Sequence, residues 1–178
     1  MADFNLLGIS GSLRAESLNR KLLQEAARLA PDGTFTEADI RFPLYDGDLE
    51  EAGGIPTRVQ DLANQIAAAD AVVIATPEYN QSFSGVLKNA LDWVSRCEGN
   101  PWNGKPVAII SAAAGRAGGA RAQYALRLAM TPFRPLLLTG PEVMVAGAAN
   151  QFDDTGQLTG AMYLKNLTAL MAALQKHA

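Results

Sequence analysis

The chain has 178 residues, is 48% hydrophobic and 19% charged, and carries a net charge of -3. That length accommodates one domain with a substantial core, and the acidic balance excludes a nucleic-acid protein dominated by phosphate contacts. One cysteine (Cys97) and one histidine (His177, beside the C-terminus) exclude a disulfide framework, a multi-cysteine metal site and a histidine-based triad.

Phe4 to Ile9 is a short apolar run that breaks into Ser10-Gly11-Ser12, and a helical pattern follows from Leu18 through Leu22, Ala26 and Leu29. The spacing predicts strand, tight loop and helix, with Pro31-Asp32-Gly33 as the stop. A helix N-terminus offers unpaired N–H groups and a positive dipole end, so it suits an anion such as phosphate. Arg14, Arg20 and Lys21 cluster there, where cations are disfavoured unless an anion compensates. The alternative for this loop alone is that Ser17 caps the helix and the arginines face water.

Thr34 to Ile40 reads as an edge strand, and Arg41 to Gly54, with Pro43, Asp46-Gly47 and Gly53-Gly54, as a loop. Pro56 stands at the first helical position, and Val59, Leu62, Ala63, Ile66 and Ala69 form one helical face. Ala71 to Thr76 is unbroken and apolar, as befits a strand buried on both faces of a parallel sheet. A polar, aromatic loop from Pro77 to Gly85 follows, with Ser84 placed to cap a helix whose buried stripe is Leu87, Ala90, Leu91 and Val94.

Glu98 to Lys105 reads as a loop, Val107 to Ser111 as another buried strand, and Ala120 to Met130 as a helix. Leu136–Leu138 and Val143–Val145 are short strand candidates, and Tyr163, Leu167, Leu170, Met171 and Leu174 mark a final helix. The chain shows no internal repeat, low-complexity tract or linker, so residues 1–178 are expected to form one domain. No basic leader with an apolar core is visible before Asp3-Phe4, and no run approaches the roughly 20 apolar residues of a membrane helix. A cytoplasmic protein without membrane or nucleic-acid partners is expected.

Alternation of strand and helix points to an open parallel sheet covered on both faces, with ligands bound beyond the carboxyl ends of its strands. Ser10–Ser17, Pro77–Ser84 and Ala113–Gly119 leave such ends and are the stretches richest in glycine and hydroxyl groups. The second, with a rigid proline, Tyr79 and amides, suits a planar heterocycle; the third, with three glycines, permits close backbone approach. Each taken alone is equally well a stiff or flexible connection.

Their combined wording is specific. Gly11-Ser12-Leu13-Arg14, Ser17 and Asn19 resemble the phosphate loop of the NADPH-dependent FMN reductase family, which includes quinone, chromate and azo-dye reductases. Thr76-Pro77-Glu78-Tyr79-Asn80-x-Ser82, then Gly85-x-Leu87-Lys88-Asn89-Ala90-x-Asp92-Trp93, resemble its flavin-ring loop and the helix after it. Gly118-Gly119-Ala120-Arg121-x-Gln123 resembles the third segment, and the match runs from about Leu6 to Glu142.

The resemblance implies a flavodoxin-like three-layer fold with a five-stranded parallel sheet in the order 2-1-3-4-5. It implies FMN as cofactor, with Ser10, Ser12, Leu13, Arg14, Ser17 and Asn19 at the phosphate. Pro77, Glu78, Tyr79, Asn80 and Ser82 would lie along the isoalloxazine, and Ser111 and Gly115 would approach it from the third loop. Hydride would pass from NADPH or NADH to flavin N5 and on to an acceptor: a quinone, free flavin, chromate, ferric complex or azo compound. No catalytic side chain and no metal are required. Arg121 and Glu142 resemble subunit-contact positions, which implies a homodimer or homotetramer; Gln81 stands where some members have a second aromatic. Arg116 is an extra charge of the third loop. A flavodoxin-like electron carrier that binds FMN without oxidising nicotinamide, and a non-catalytic nucleotide-binding module, are the competing expectations.

Overall fold

A computed structural model describes residues 4–30 and 33–178. The elements in chain order are β1 (Phe4–Ser10), α1 (Leu18–Leu29), β2 (Gly33–Ala38), α2 (Gly47–Gly53), α3 (Thr57–Ala68) and β3 (Ala71–Ala75). They continue with α4 (Gly85–Val94), β4 (Pro106–Ala112), α5 (Ala120–Met130), β5 (Leu136–Leu137), β6 (Val143–Val145) and α6 (Ala161–Lys176).

All strand pairs are parallel, in the order β2-β1-β3-β4-β5, with β6 also beside β4. The flavodoxin-like order is therefore present, and the fifth position is divided between two short strands. β5 pairs with the start of β4 at Pro106 and Val107, whereas β6 pairs with its end at Ile110 to Ala112. Between them stand Gly140 and Pro141, and a proline has no N–H to give the ladder.

Side chains alternate across the sheet and build two cores. Leu7, Ile9, Val72, Ile74, Val107 and Ile109 pack with Val59, Leu62 and Ile66 of α3, Leu87 and Leu91 of α4, and Leu126 and Met130 of α5. Phe4, Leu6, Val73, Ala108 and Ile110 face the other way, onto Leu22, Leu23 and Ala26 of α1 and Leu167, Leu170 and Met171 of α6. A buried leucine or isoleucine contributes about 1.5–3 kcal/mol of transfer free energy, so both faces are committed. β3 and β4 are buried throughout, and that is why they read as unbroken apolar runs.

Helix ends follow their caps: Ser17 accepts from Arg20 N at α1 and Ser84 from Leu87 N at α4. The stop at Pro31-Asp32 lies outside the described residues; α1 ends at Leu29 with Ala30 as its cap. Two expectations are corrected. Residues 47–53, read as loop, form α2: Asp46 caps it, Asp48 and Glu50 favour its first turn, and Gly54 ends it at φ 74°. The turn residues bracket this helix rather than interrupt it, and none of its residues is buried. Pro56 is the N-cap of α3 rather than its first residue.

The segment before α2 is docked by α4. Asn89 accepts from Tyr45 N at 2.8 Å and donates to Pro43 O at 2.9 Å, while Trp93 Nε1 donates to the same carbonyl at 2.8 Å. Tyr45 meets the Trp93 ring edge-on, with centroids 5.0 Å apart. Arg96 and the Tyr45 hydroxyl hold the Glu50 carboxyl below the usual range, the arginine hydrogen bond being the larger cause. Cys97 is buried, and desolvation pushes its thiol up, as expected of a packed rather than a redox cysteine. Among the described residues no helix is long and apolar enough to cross a membrane.

Candidate flavin site

The order 2-1-3-4-5 reverses between β1 and β3, whose last residues, Ser10 and Ala75, are register partners. Gly11 N extends that ladder by donating to Ala75 O at 2.8 Å. A Cβ on Gly11 would lie 3.1 Å from Pro77 Cδ and 3.2 Å from Ser84 Oγ, so the first two loops approach closely over a glycine. Thr76 N in turn donates to Ile110 O, bringing the end of β4 alongside.

A cleft of about 400 Å³ opens over these ends. Ser12, Arg14, Ser17 and Asn19 line one side, Pro77, Glu78 and Tyr79 the second, and Ala112, Ala113 and Ala114 the third. A further cleft of about 390 Å³ shares Ser12, Arg14 and Tyr79 and extends over Leu13, Ser84 and Val86. Both volumes lie in the range of cofactor and substrate pockets.

The end of the cleft beside α1 has a consistent donor set. The α1 N-terminus faces it, and helices leave their first N–H groups unpaired. Ser12 and Ser17 are buried with hydroxyls at the loop. Of the three cations, Arg20 pairs with Glu37 at 2.8 Å and Lys21 with Glu16 at 3.5 Å. The Arg14 guanidinium is exposed and has no carboxylate or carbonyl partner among the described residues. A positive charge left unpaired beside two hydroxyls and a helix N-terminus fits a phosphate monoester.

Of the other expected residues, Asn19 and Glu78 line the cleft and Ser10 and Ser111 do not, and all four spend their polar groups on the protein. Ser10 Oγ donates to Ser12 O and accepts from Ser12 N, bracing the loop from inside. Asn19 pairs with the backbone of Ala112 through both ends of its amide, at 2.9 Å each. Ser111 is fully buried and donates to Gly118 O at 2.6 Å. Glu78 accepts from Arg121 N at 3.2 Å and from its guanidinium at 3.3 Å, supplying the side-chain cap that Gly119 cannot give α5. The four were expected at the ligand because polar residues on these loops read alike whether they face a cofactor or their own backbone.

Tyr79 and Ser82 close a two-residue turn with bonds of 2.9 and 3.1 Å, which puts Asn80 and Gln81 at its tip with φ 49° and 67°. Both central residues are left-handed, so this is a type I′ turn, and it projects Tyr79 half-exposed beside the cleft. Leu13 is exposed on the facing loop, and Gly115 and Arg116 are exposed on the third. Arg121 and Glu142 do not meet: Arg121 is held by Glu78, and Glu142 accepts from the Tyr124 hydroxyl at 3.3 Å. Sequence reasoning missed Gln123 as a structural centre; its position after two glycines was the available signal.

The chain is 49% identical to an NAD(P)H-dependent FMN reductase of Pseudomonas aeruginosa, over 97% of its own length and 94% of the relative's. It is 41% identical to a quinone reductase of Escherichia coli K12, over 92% and 89% of the two chains. The solved structure of the NAD(P)H:(acceptor) oxidoreductase FerB from Paracoccus denitrificans superposes with a TM-score of 0.87 at 34% identity, covering 97% of this chain and 96% of that one. Residues 4–150 match the family described as NADPH-dependent FMN reductase. The chain belongs to the NADPH-dependent FMN reductase family and is an NAD(P)H-dependent flavin oxidoreductase.

Proposed function

We propose that this protein is an NAD(P)H:quinone oxidoreductase in which residues 1–178 act as one FMN-binding domain. The unpaired Arg14 guanidinium, set between Ser12 and Ser17 at the α1 N-terminus, is the observation that carries the reading. Arg14, Ser12, Ser17 and the first-turn N–H groups hold the phosphate. Pro77, Tyr79 and the backbone from Ala112 to Ala114 line the cleft and would flank the ring system, with Asn80, Ser82 and Gly115, their neighbours in the chain, assigned to its rim. Ser10, Asn19, Glu78 and Ser111 act one step back, by fixing the three loops to one another.

The chemistry supplied by bound FMN is hydride acceptance from NAD(P)H and two-electron delivery to the quinone. The balance is one NAD(P)H, one proton and one quinone giving NAD(P)+ and hydroquinone. This chain positions the ring and leaves the adjoining cleft, walled by Leu13, Tyr79 and Val86, open to a flat apolar acceptor. The quinone reductase of Escherichia coli supports that choice over chromate, ferric complexes and azo compounds. A homodimer or homotetramer belongs to the same reading, supported by Tyr124 and Leu128, exposed one turn apart on α5. So does a cytoplasmic setting, where reduced nicotinamide nucleotide is supplied and a lone thiol persists.

The test is anaerobic titration of the FMN-loaded protein with NADPH and with NADH, followed by benzoquinone. Loss of oxidised-flavin absorbance with a nucleotide, and its return with quinone, is expected. Failure of both nucleotides to reduce the flavin would leave an electron carrier. A protein that neither retains nor takes up FMN would overturn the flavin reading altogether.

A further inference from the structure

Gln123, on the first turn of α5, is fully buried and lies outside the cleft lining. Its Nε2 donates to Ser111 Oγ at 2.8 Å and to Val143 O at 2.9 Å. Ser111 Oγ then donates to Gly118 O at 2.6 Å. The direction of every bond is forced. Val143 O and Gly118 O can only accept, so the amide nitrogen must face β6 and the serine proton must face the loop. One carboxamide thus ties β4, β6 and the far end of the 112–119 loop.

That arrangement carries a cost in stability as well as a gain. Gln123 Oε1 is buried with no hydrogen-bond partner among the described residues, so the network leaves one acceptor desolvated. An apolar side chain of similar shape would avoid the orphan. The loop it holds has no slack: a Cβ on Gly119 would stand 2.7 Å from Ser111 Oγ. The near end of that loop, Ala112 to Ala114, is the third wall of the cleft.

We propose that Gln123 is a positioning residue for the cofactor, acting through Ser111 to set the 112–119 backbone against the flavin ring. The inference rests on the FMN reading of the cleft. Gln123→Met keeps length and packing while removing both donated bonds; Ser111→Ala removes the relay hydroxyl. FMN affinity is read from quenching of free-flavin fluorescence, and the melting temperature from far-UV circular dichroism of flavin-free protein.

Each variant is expected to weaken FMN binding about tenfold. The double variant should be no weaker than the worse single one, because the two side chains form one unit. Gln123→Met loses two donated bonds but also the orphaned acceptor, so its melting temperature is expected to fall by no more than a few degrees. Wild-type affinity in both variants, with wild-type protein binding FMN normally, would overturn the proposal and leave the site reading intact. Failure of the wild-type protein to bind FMN would instead sink the site reading. If Gln123→Met does not fold, Ser111→Ala decides the matter alone: unchanged affinity there also overturns it.

Discussion

The Asn19 carboxamide and the Ala112 backbone form a two-point contact, Nδ2 donating to the carbonyl and Oδ1 accepting from the amide, each at 2.9 Å. It joins the first turn of α1 to the end of β4, 93 residues later, and both partners are buried. The loop after β1 and the loop after β4 are therefore held at a fixed separation by one side chain. Replacing Asn19 with alanine leaves a buried N–H and a buried C=O unpaired, at a cost of about 2–4 kcal/mol together. A fall in melting temperature on the order of 10 °C is expected, measured on flavin-free protein. A fall within experimental error would mean that water enters and replaces the amide.

Much of this molecule was legible because burial writes itself into composition. β3 and β4 are apolar on both faces and could be nothing but central strands, and the stripes of α4 and α6 fall where their periodicity puts them. α2 was hidden because it buries nothing and so has no stripe to read. Both pieces of the divided fifth strand were legible as short strand candidates; that they share one position beside β4 was not, because two or three residues are too few to show their pairing. At the site, loops and residue types were legible, but the direction of each polar side chain was not. Asn19 and Arg14 stand five residues apart on the same loop and helix start; one side chain finds a backbone partner far along the chain and the other finds none among the described residues.

Arg14 carries the opposite expectation. Its guanidinium pairs with no carboxylate or carbonyl among the described residues, so Arg14→Ala should leave stability within about 0.5 kcal/mol of wild type. A charge-assisted contact to phosphate contributes roughly 1.5–3 kcal/mol, so FMN affinity should fall by about 10- to 150-fold, and less at high salt. Binding of riboflavin, which lacks the phosphate, should be unchanged. Equal weakening for FMN and riboflavin would place Arg14 at the ring rather than the phosphate.

The turn at Asn80-Gln81 stores strain. Asparagine tolerates the left-handed region, but Gln81 at φ 67° pays for it by about 1–2 kcal/mol. Glycine there removes the strain and adds back about 0.5–1 kcal/mol of backbone entropy loss. The balance favours Gln81→Gly by up to about 1.5 kcal/mol, a rise of up to about 6 °C in melting temperature. A fall would show that the Gln81 side chain makes a contact worth more than the strain it imposes.

Two glycines of the third loop should respond oppositely to alanine. At Gly118 a Cβ would lie 2.3 Å from Met144 O, and φ is already 59°. The obstacle is backbone of β6, which cannot rotate away, so the loop must lift from the sheet and break the Ser111–Gly118 bond. Gly118→Ala should lower stability by about 3 kcal/mol or more and weaken FMN binding with it. At Gly115 nothing lies within 4 Å of the new carbon and φ is not positive, so Gly115→Ala should leave the melting temperature unchanged or slightly raised. Its FMN affinity then reports on the cleft alone. A weaker affinity with intact stability means that the flavin comes within van der Waals distance of Gly115; an unchanged one means that the wall against the ring is made by Ala112 to Ala114 and that Gly115 serves only to turn the chain.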